Sequence, residues 1–166
     1  MAVSGLSVIV DTPIQDGVEV REFVTLRTCT IGAGARIYER VSLKRCSVGA
    51  GAEINAGTYA EQVHIGAEVQ IGPNCSLVGV WHPIGIHGAA NEDILREIVL
   101  ETGCLLGAGV IVLPGVTIGK RAVIGAGTMV AKDVPAETMV YGPPSAQTRM
   151  TLAEYVGRAM RKDNVK

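Results

Sequence analysis

The chain has 166 residues, of which 48% are hydrophobic but only 4% aromatic, with 21 glycines and a single Phe and Trp. That length fits one domain, and the scarcity of aromatic side chains excludes one large aromatic-packed core in favour of many thin, similar layers of Val, Ile, Leu and Ala. Its 15 basic residues nearly cancel its 16 acidic ones, which excludes a broad basic face for a nucleic-acid backbone.

The first ten residues, MAVSGLSVIV, are mildly apolar but carry neither a basic leader nor a small-residue cleavage site, and no run of about 18 apolar residues occurs. The expectation is a cytoplasmic chain with no membrane partner. Residues 24–40 (VTLRTCTIGAGARIYER) then align column by column with residues 41–57 (VSLKRCSVGAGAEINAG), a period of 17. A third, more divergent copy over 58–74 keeps the register, with Ile65–Gly66 beneath Ile31–Gly32 and Val48–Gly49.

Residues 79–99 (GVWHPIGIHGAANEDILREIV) break the pattern and read as an excursion loop, of the kind that carries function when a rigid scaffold holds it. Beyond it the register tightens to six: Leu100, Leu106, Val112, Ile118, Ile124 and Val130 recur at every sixth position. Four residues after each comes a small or branched residue: Cys104, Val110, Val116, Ala122, Thr128 and Val134. Neither a helix of period 3.6 nor a strand of period 2 explains this spacing. Short strands separated by bends, three to a coil of 18 residues, do explain it, with Gly and Ala accepting the unusual backbone angles of the bends. The 17-residue coils are one residue short, a shortfall assigned to the bends near Cys29 and Cys46. Those two cysteines share a column and could lie close enough to bond. With no oxidising compartment indicated and no CxxC pair for zinc, they and Cys75 and Cys104 are read as reduced, apolar fillers.

The hexads stop at Pro135, residues 141–144 read as a turn, and the tail reads as a helix. Thr151 and Glu154 form a capping box, Leu152, Tyr155, Val156, Ala159 and Met160 share one face, and Arg158, Arg161 and Lys162 fall toward its end. Its role would be to cover the open end of the prism. The expected fold is therefore all-β, a parallel β-helix of hexapeptide repeats over residues 1–150 with a loop at about 79–99 and a short C-terminal α-helix in 151–166.

Residues 71–83 (IGPNCSLVGVWHP), 106–132 (LGAGVIVLPGVTIGKRAVIGAGTMVAK) and 142–149 (GPPSAQTR) resemble, in order and spacing, the hexapeptide-repeat acyltransferases, particularly the galactoside and maltose O-acetyltransferases. The resemblance implies a left-handed parallel β-helix, a homotrimer with each active site between two subunits, and acetyl-CoA (coenzyme A) as co-substrate with no metal. It implies His82 as the general base that takes a proton from the hydroxyl or amine of a small acceptor such as a sugar. By the same resemblance Ala108 and Ala126 lie on the pantetheine track, Ala131 and Lys132 follow, and Lys132 and Arg149 approach the nucleotide phosphates. Asn55 falls near an acceptor-binding position. Trp81 would wall the acceptor pocket, and His87 shares the loop. Leu105 stands where the family commonly has an aromatic residue, and Trp81 replaces a small one. His64, in the column of Thr30 and Ser47, is expected to face outward into solvent.

Two other readings stay open. His82 and His87–Gly88 reproduce the H-x4-H spacing of the gamma-class carbonic anhydrases, zinc enzymes of the same fold, although Pro83 and the loop context depart from that pattern and the third ligand would have to be His64. The alternative from another class is a non-catalytic β-helix scaffold subunit.

Overall fold

The computed structural model describes residues 2–81, 93–143 and 146–154. Each hexad supplies one strand of two or three residues and one bend, so the chain advances around a three-sided coil. Among the described residues the strands stack into sheets of nine, seven and five strands, with a separate two-stranded ribbon. Apart from the last pair of the first sheet, neighbours within the long sheets are parallel and in register: Glu19 pairs with Arg36, Arg36 with Glu53, and Glu53 with Gln70 in the first sheet, and Thr25 with Ser42 and Ser42 with Tyr59 in the second.

The inward columns fill the interior as the six-residue spacing requires. Leu100, Leu106, Val112, Ile118, Ile124 and Val130 are all buried, and so are Cys104, Val110, Val116, Ala122, Thr128 and Val134. With a single Phe and Trp, neither inside the core, aliphatic layers carry the hydrophobic stabilisation, at roughly 25 cal/mol per Å² of apolar surface removed from water.

Glycines such as Gly34, Gly51, Gly103, Gly109 and Gly127 make bends at positive φ as expected, but other bends carry larger residues. Thr28, Arg45 and Gln62 stack at the corner between second and third sheets with φ of 53°, 53° and 56°, and Glu68, Arg121 and Glu137 share another corner column with Gly51 and Gly103. A non-glycine residue in this left-handed region costs about 1–3 kcal/mol. The compensation is repeated along each edge: the bend residue donates its N–H to a carbonyl one coil below, as in Thr28 to Val10 (3.0 Å), Arg45 to Arg27 (2.9 Å), Gln62 to Lys44 (3.0 Å) and Arg121 to Thr102 (3.1 Å).

The 17-residue coils are short where the sequence places the deficit. In register, Leu26 to Ile31 spans one residue less than Val112 to Ile118, so the missing residue is at the corner of Cys29 and Cys46. The excursion is briefer than expected. Ile98 is fully buried and Ile98–Leu100 pairs with Val63–Ile65, so the chain is back in the coil before residue 99.

At the C-terminal end the coil does not stop at Pro135, because Val134 still bridges Ile118 and Thr138–Tyr141 still pairs with Val123–Ile124. Thr148–Thr151 then folds back antiparallel on Thr138–Tyr141, a strand where the sequence suggested only a turn leading into the helix. Met150 of this strand is buried and pairs with Met139. The capping box forms: Thr151 N–H donates to the Glu154 carboxylate (2.8 Å), Glu154 N–H donates to Thr151 Oγ1 (3.1 Å), and helical backbone begins at Leu152. Tyr155, Val156, Ala159, Met160 and the basic Arg158, Arg161 and Lys162 lie outside the described residues. No helix among the described residues is long and apolar enough to cross a membrane.

Candidate active site

The loop leaves the prism at a built junction. Gly79 N–H donates to Glu61 O (2.8 Å), the last coil hydrogen bond before the chain departs. A β-carbon on Gly79 would collide with the backbone oxygen of Gln62 and lie 2.8 Å from that of Arg96, so only glycine fits. Val80–Trp81 then pairs antiparallel with Ile94–Leu95 as the stem of a hairpin, and Arg96 N–H returns to Gly79 O (2.8 Å). Trp81 is half exposed, at 52%, with Ile94 and Leu95 exposed to similar extents (43% and 52%). His82, to which the resemblance gives the chemistry, and His87 of the same loop lie outside the described residues.

Beneath the stem sits a charged cluster that the sequence reading missed. Glu61 is nearly buried and receives Lys44 Nζ at 2.9 Å, Arg45 Nη2 at 2.6 Å and the Tyr59 hydroxyl at 2.6 Å. Burial opposes ionisation of Glu61, but hydrogen bonds from Tyr59 and Lys44 and the charges of Lys44 and Arg45 outweigh it, so its carboxyl sits below the usual range. The same hydrogen bond, with burial, pushes Tyr59 up to about 12. The signal was present: the 17-residue register places Lys44 directly beside Glu61.

The residues assigned to coenzyme A fall on two corners. Ala108 and Ala126 are exposed at the corner leading into the second sheet, stacked one coil apart, with Gly127 N–H donating to Ala108 O (2.8 Å). Ala131 and Lys132 are exposed just after Met129–Val130, at the opposite border of the same sheet. This is also the corner from which the hairpin stem leaves, two coils away, since Ser76–Val78 pairs with Ile111–Val112 and that strand with Met129–Val130. Between the two borders the outward side chains are the apolar Ile111 (40% exposed) and Met129, neither of which the sequence reading singled out.

Arg149 reaches this strip from the folded-back strand. Its Nη1 donates to Asp133 O at 3.2 Å, next to Lys132. Gln147, also missed, donates its Nε2 to Met129 O and fixes the strand across the end of the sheet. The fold thus brings together alanine ledges, an apolar floor and two cations around one sheet face.

Asn55 is not part of that gathering. It is half buried at the corner between first and second sheets, and its Nδ2 donates to Ile71 O (2.9 Å), while Trp81 stands at the next corner. His64 faces outward on the third sheet as expected, exposed, with Nδ1 2.7 Å from Ser47 Oγ. Among the described residues no three His, Cys, Asp or Glu side chains converge as metal ligands.

Residues 97–132 match the family described as "Bacterial transferase hexapeptide (six repeats)". The chain is 42% identical over 77 residues to the galactoside O-acetyltransferase of Lactococcus lactis subsp. lactis, a match covering 46% of this chain and 37% of that protein. It therefore spans well under two thirds of the curated relatives it matches. Among solved structures, a hexapeptide-repeat acetyltransferase of Vibrio cholerae O1 biovar eltor complexed with acetyl-coenzyme A superposes with a TM-score of 0.64 at 26% identity, over 72% of this chain and 68% of that one. A maltose O-acetyltransferase from Clostridium difficile 630 gives 0.57 at 25% identity, over 69% and 67%. By repeat, coil geometry and likeness, the chain is similar to the hexapeptide-repeat acetyltransferases, with residues 97–132 matching the bacterial transferase hexapeptide model.

Proposed function

We propose that this chain transfers an acetyl or similar acyl group from coenzyme A to a hydroxyl or amine of a small acceptor such as a sugar, as a cytoplasmic homotrimer with His82 as general base. The observation that carries the reading is the strip on the second sheet: alanine ledges at one border, Lys132 with the nearby Arg149 at the other, and Ile111 and Met129 between. Such a strip suits a ligand with a long amide-bearing arm and a polyanionic end. Small side chains at Ala108, Ala126 and Ala131 leave backbone amides within reach of the arm, and two cations suit phosphates through charge-assisted hydrogen bonds. The names of the relatives agree, and the Vibrio protein was solved with acetyl-coenzyme A.

In the proposed reaction, neutral His82 accepts the proton of the acceptor as its oxygen or nitrogen attacks the thioester carbonyl. The tetrahedral adduct expels the coenzyme thiolate, which takes up a proton, and no covalent enzyme intermediate forms. An unperturbed imidazole pKa near 6.5 leaves the base largely neutral at physiological pH. Trp81, adjacent in sequence, would wall the acceptor pocket, with His87 and Asn55 as further acceptor contacts. Asn55 and Trp81 occupy different corners of one chain, so a single acceptor meets both only where two subunits share it, and this is why a trimer belongs to the proposal.

The direct test is His82→Ala. Turnover is expected to fall by at least about 10²-fold while the coenzyme A Kd measured by calorimetry stays within about 2-fold. Undiminished turnover removes His82 as the base. No heat with acetyl-CoA in the unmodified chain favours the scaffold reading, and stoichiometric zinc in the purified protein favours the carbonic-anhydrase-like one.

A further inference from the structure

Cys29 and Cys46 stand at the corner where the early coils are one residue short. The residues that follow them, Thr30 and Ser47, pair in register, so one cysteine sits directly above the other one coil apart. Parallel strands about 4.8 Å apart place two such Cα atoms inside the roughly 4.4–6.8 Å that a disulfide spans. Both thiols are free, and both residues are buried, at 2% and 4% exposure.

At this corner each thiol lies within hydrogen-bond reach of nearby carbonyls, Cys29 Sγ of Arg27 O (3.2 Å) and Cys46 Sγ of Lys44 O (3.3 Å) and Ala60 O (3.5 Å). Thr12 Oγ1 accepts the N–H of Cys29 at 3.1 Å. One coil on, the Cys29 sulfur holds the same place for the backbone of Cys46 and also receives its thiol, and the Cys46 sulfur in turn faces the backbone of Val63. Thr28 and Arg45, each at φ 53°, make the tight turns that immediately precede the two cysteines. The hydrogen bond from Cys46, opposed by burial and helped by backbone groups, holds the Cys29 thiol at about 7. The same bond, together with burial, pushes Cys46 up, while burial alone leads in raising Cys75 and in lifting Cys104 to about 12. The four cysteines are therefore chemically unlike one another. An open groove of about 490 Å³ runs along this corner and is lined by both cysteines, and the charged groups facing it are Arg45, Asp11 and Glu97.

From the in-register stacking and the groove above it, we infer that Cys29 and Cys46 form a thiol–disulfide exchange site that reacts with a small disulfide and cross-links two adjacent coils. The Cys29 thiolate attacks one sulfur of the small disulfide, the S–S bond breaks, and the first thiolate leaves and takes up a proton. Cys29 is then uncharged, which removes the anion that raised Cys46. Cys46 gives its proton to solvent and attacks the Cys29 sulfur, and the second small thiol departs. The protein loses two hydrogens and is oxidised, while the small disulfide is reduced to two thiols. Nothing in this step depends on acyl transfer.

The test uses the full chain with glutathione disulfide, followed by alkylation and peptide mapping without reductant. The expected product joins the Cys29 and Cys46 peptides, with Cys75 and Cys104 unmodified. In Cys46→Ser the expected product is a mixed disulfide retained on Cys29. Iodoacetamide at pH 7 is expected to label Cys29 of the reduced, folded chain at least about 10-fold faster than Cys104. The inference is overturned if both cysteines remain free after oxidation, if the bond forms instead to Cys75 or Cys104, or if cross-links arise only between molecules.

Discussion

At the scale of single residues, the fold depends on polar groups placed where the aliphatic columns could not satisfy the backbone. Thr58 is fully buried, accepts the N–H of Cys75 on Oγ1 (3.2 Å) and donates to Gly72 O (3.0 Å). Thr58→Val keeps the shape but orphans that N–H and carbonyl. The expected loss is about 1–3 kcal/mol in urea unfolding, with little change in the slope. Gly107 makes a different demand: a β-carbon there would sit 2.6 Å from Ala126 N, between two coils that cannot part. Neither requirement shows in the hexad pattern, which marks which columns point inward but not which of them must carry a hydroxyl or lack a side chain.

At the scale of elements, the hairpin stem and the Glu61 cluster explain how a regular stack releases a loop without losing register. The aliphatic ladder resumes at Ile98 because Ile98 N–H still finds Gln62 O (3.2 Å) across the excursion. Glu61→Gln removes the charge that holds Lys44 and Arg45, and Arg45 Nε is already buried without a partner. A lower melting temperature is expected at pH 7. Because the folded carboxyl titrates below its unfolded value of about 4.3, its contribution is complete above that pH and is lost as the pH falls through the lower folded value. The gap in melting temperature between the two proteins should therefore narrow in acid, and a gap that stays constant below pH 4 would show that Glu61 acts by packing alone.

The parts of these elements that could be read in advance were those the repeat repeats. Six-step spacing located the inward columns, and the 17-residue period located the short corner at Cys29 and Cys46. The strand Thr148–Thr151 was not legible, since it pairs antiparallel once and belongs to no column. The non-glycine corners were hidden for another reason. Residues such as Arg45 and Gln62 are held in left-handed geometry by hydrogen bonds to the coil below, which propensity does not record. For the site, the family resemblance pointed to Lys132 and Arg149 separately. Their meeting beside Asp133 O depends on the fold-back strand, and the loop bearing His82 and His87 has no period from which to assign a register.

At the scale of the molecule, a stack of parallel coils has an end, and an end is an unpaired sheet edge that can recruit another chain. Here the last coil is followed by a change of direction: Thr148–Thr151 turns antiparallel, Met150 is buried at 7% exposure and pairs with Met139, and Gln147 reaches Met129 O of the neighbouring sheet. Met150→Asp places a carboxylate at that buried position beside Met139, so the strand should lift and bare the edge of Thr138–Tyr141. The interior columns are contacted only by neighbouring coils, so the damage should stay local. Far-UV circular dichroism is expected to keep its β signature while light scattering shows association that grows with protein concentration. Met150→Leu, which refills the seat, should behave as the unmodified chain does. If Met150→Asp shows no concentration-dependent association, the fold-back strand is not what protects this end of the prism.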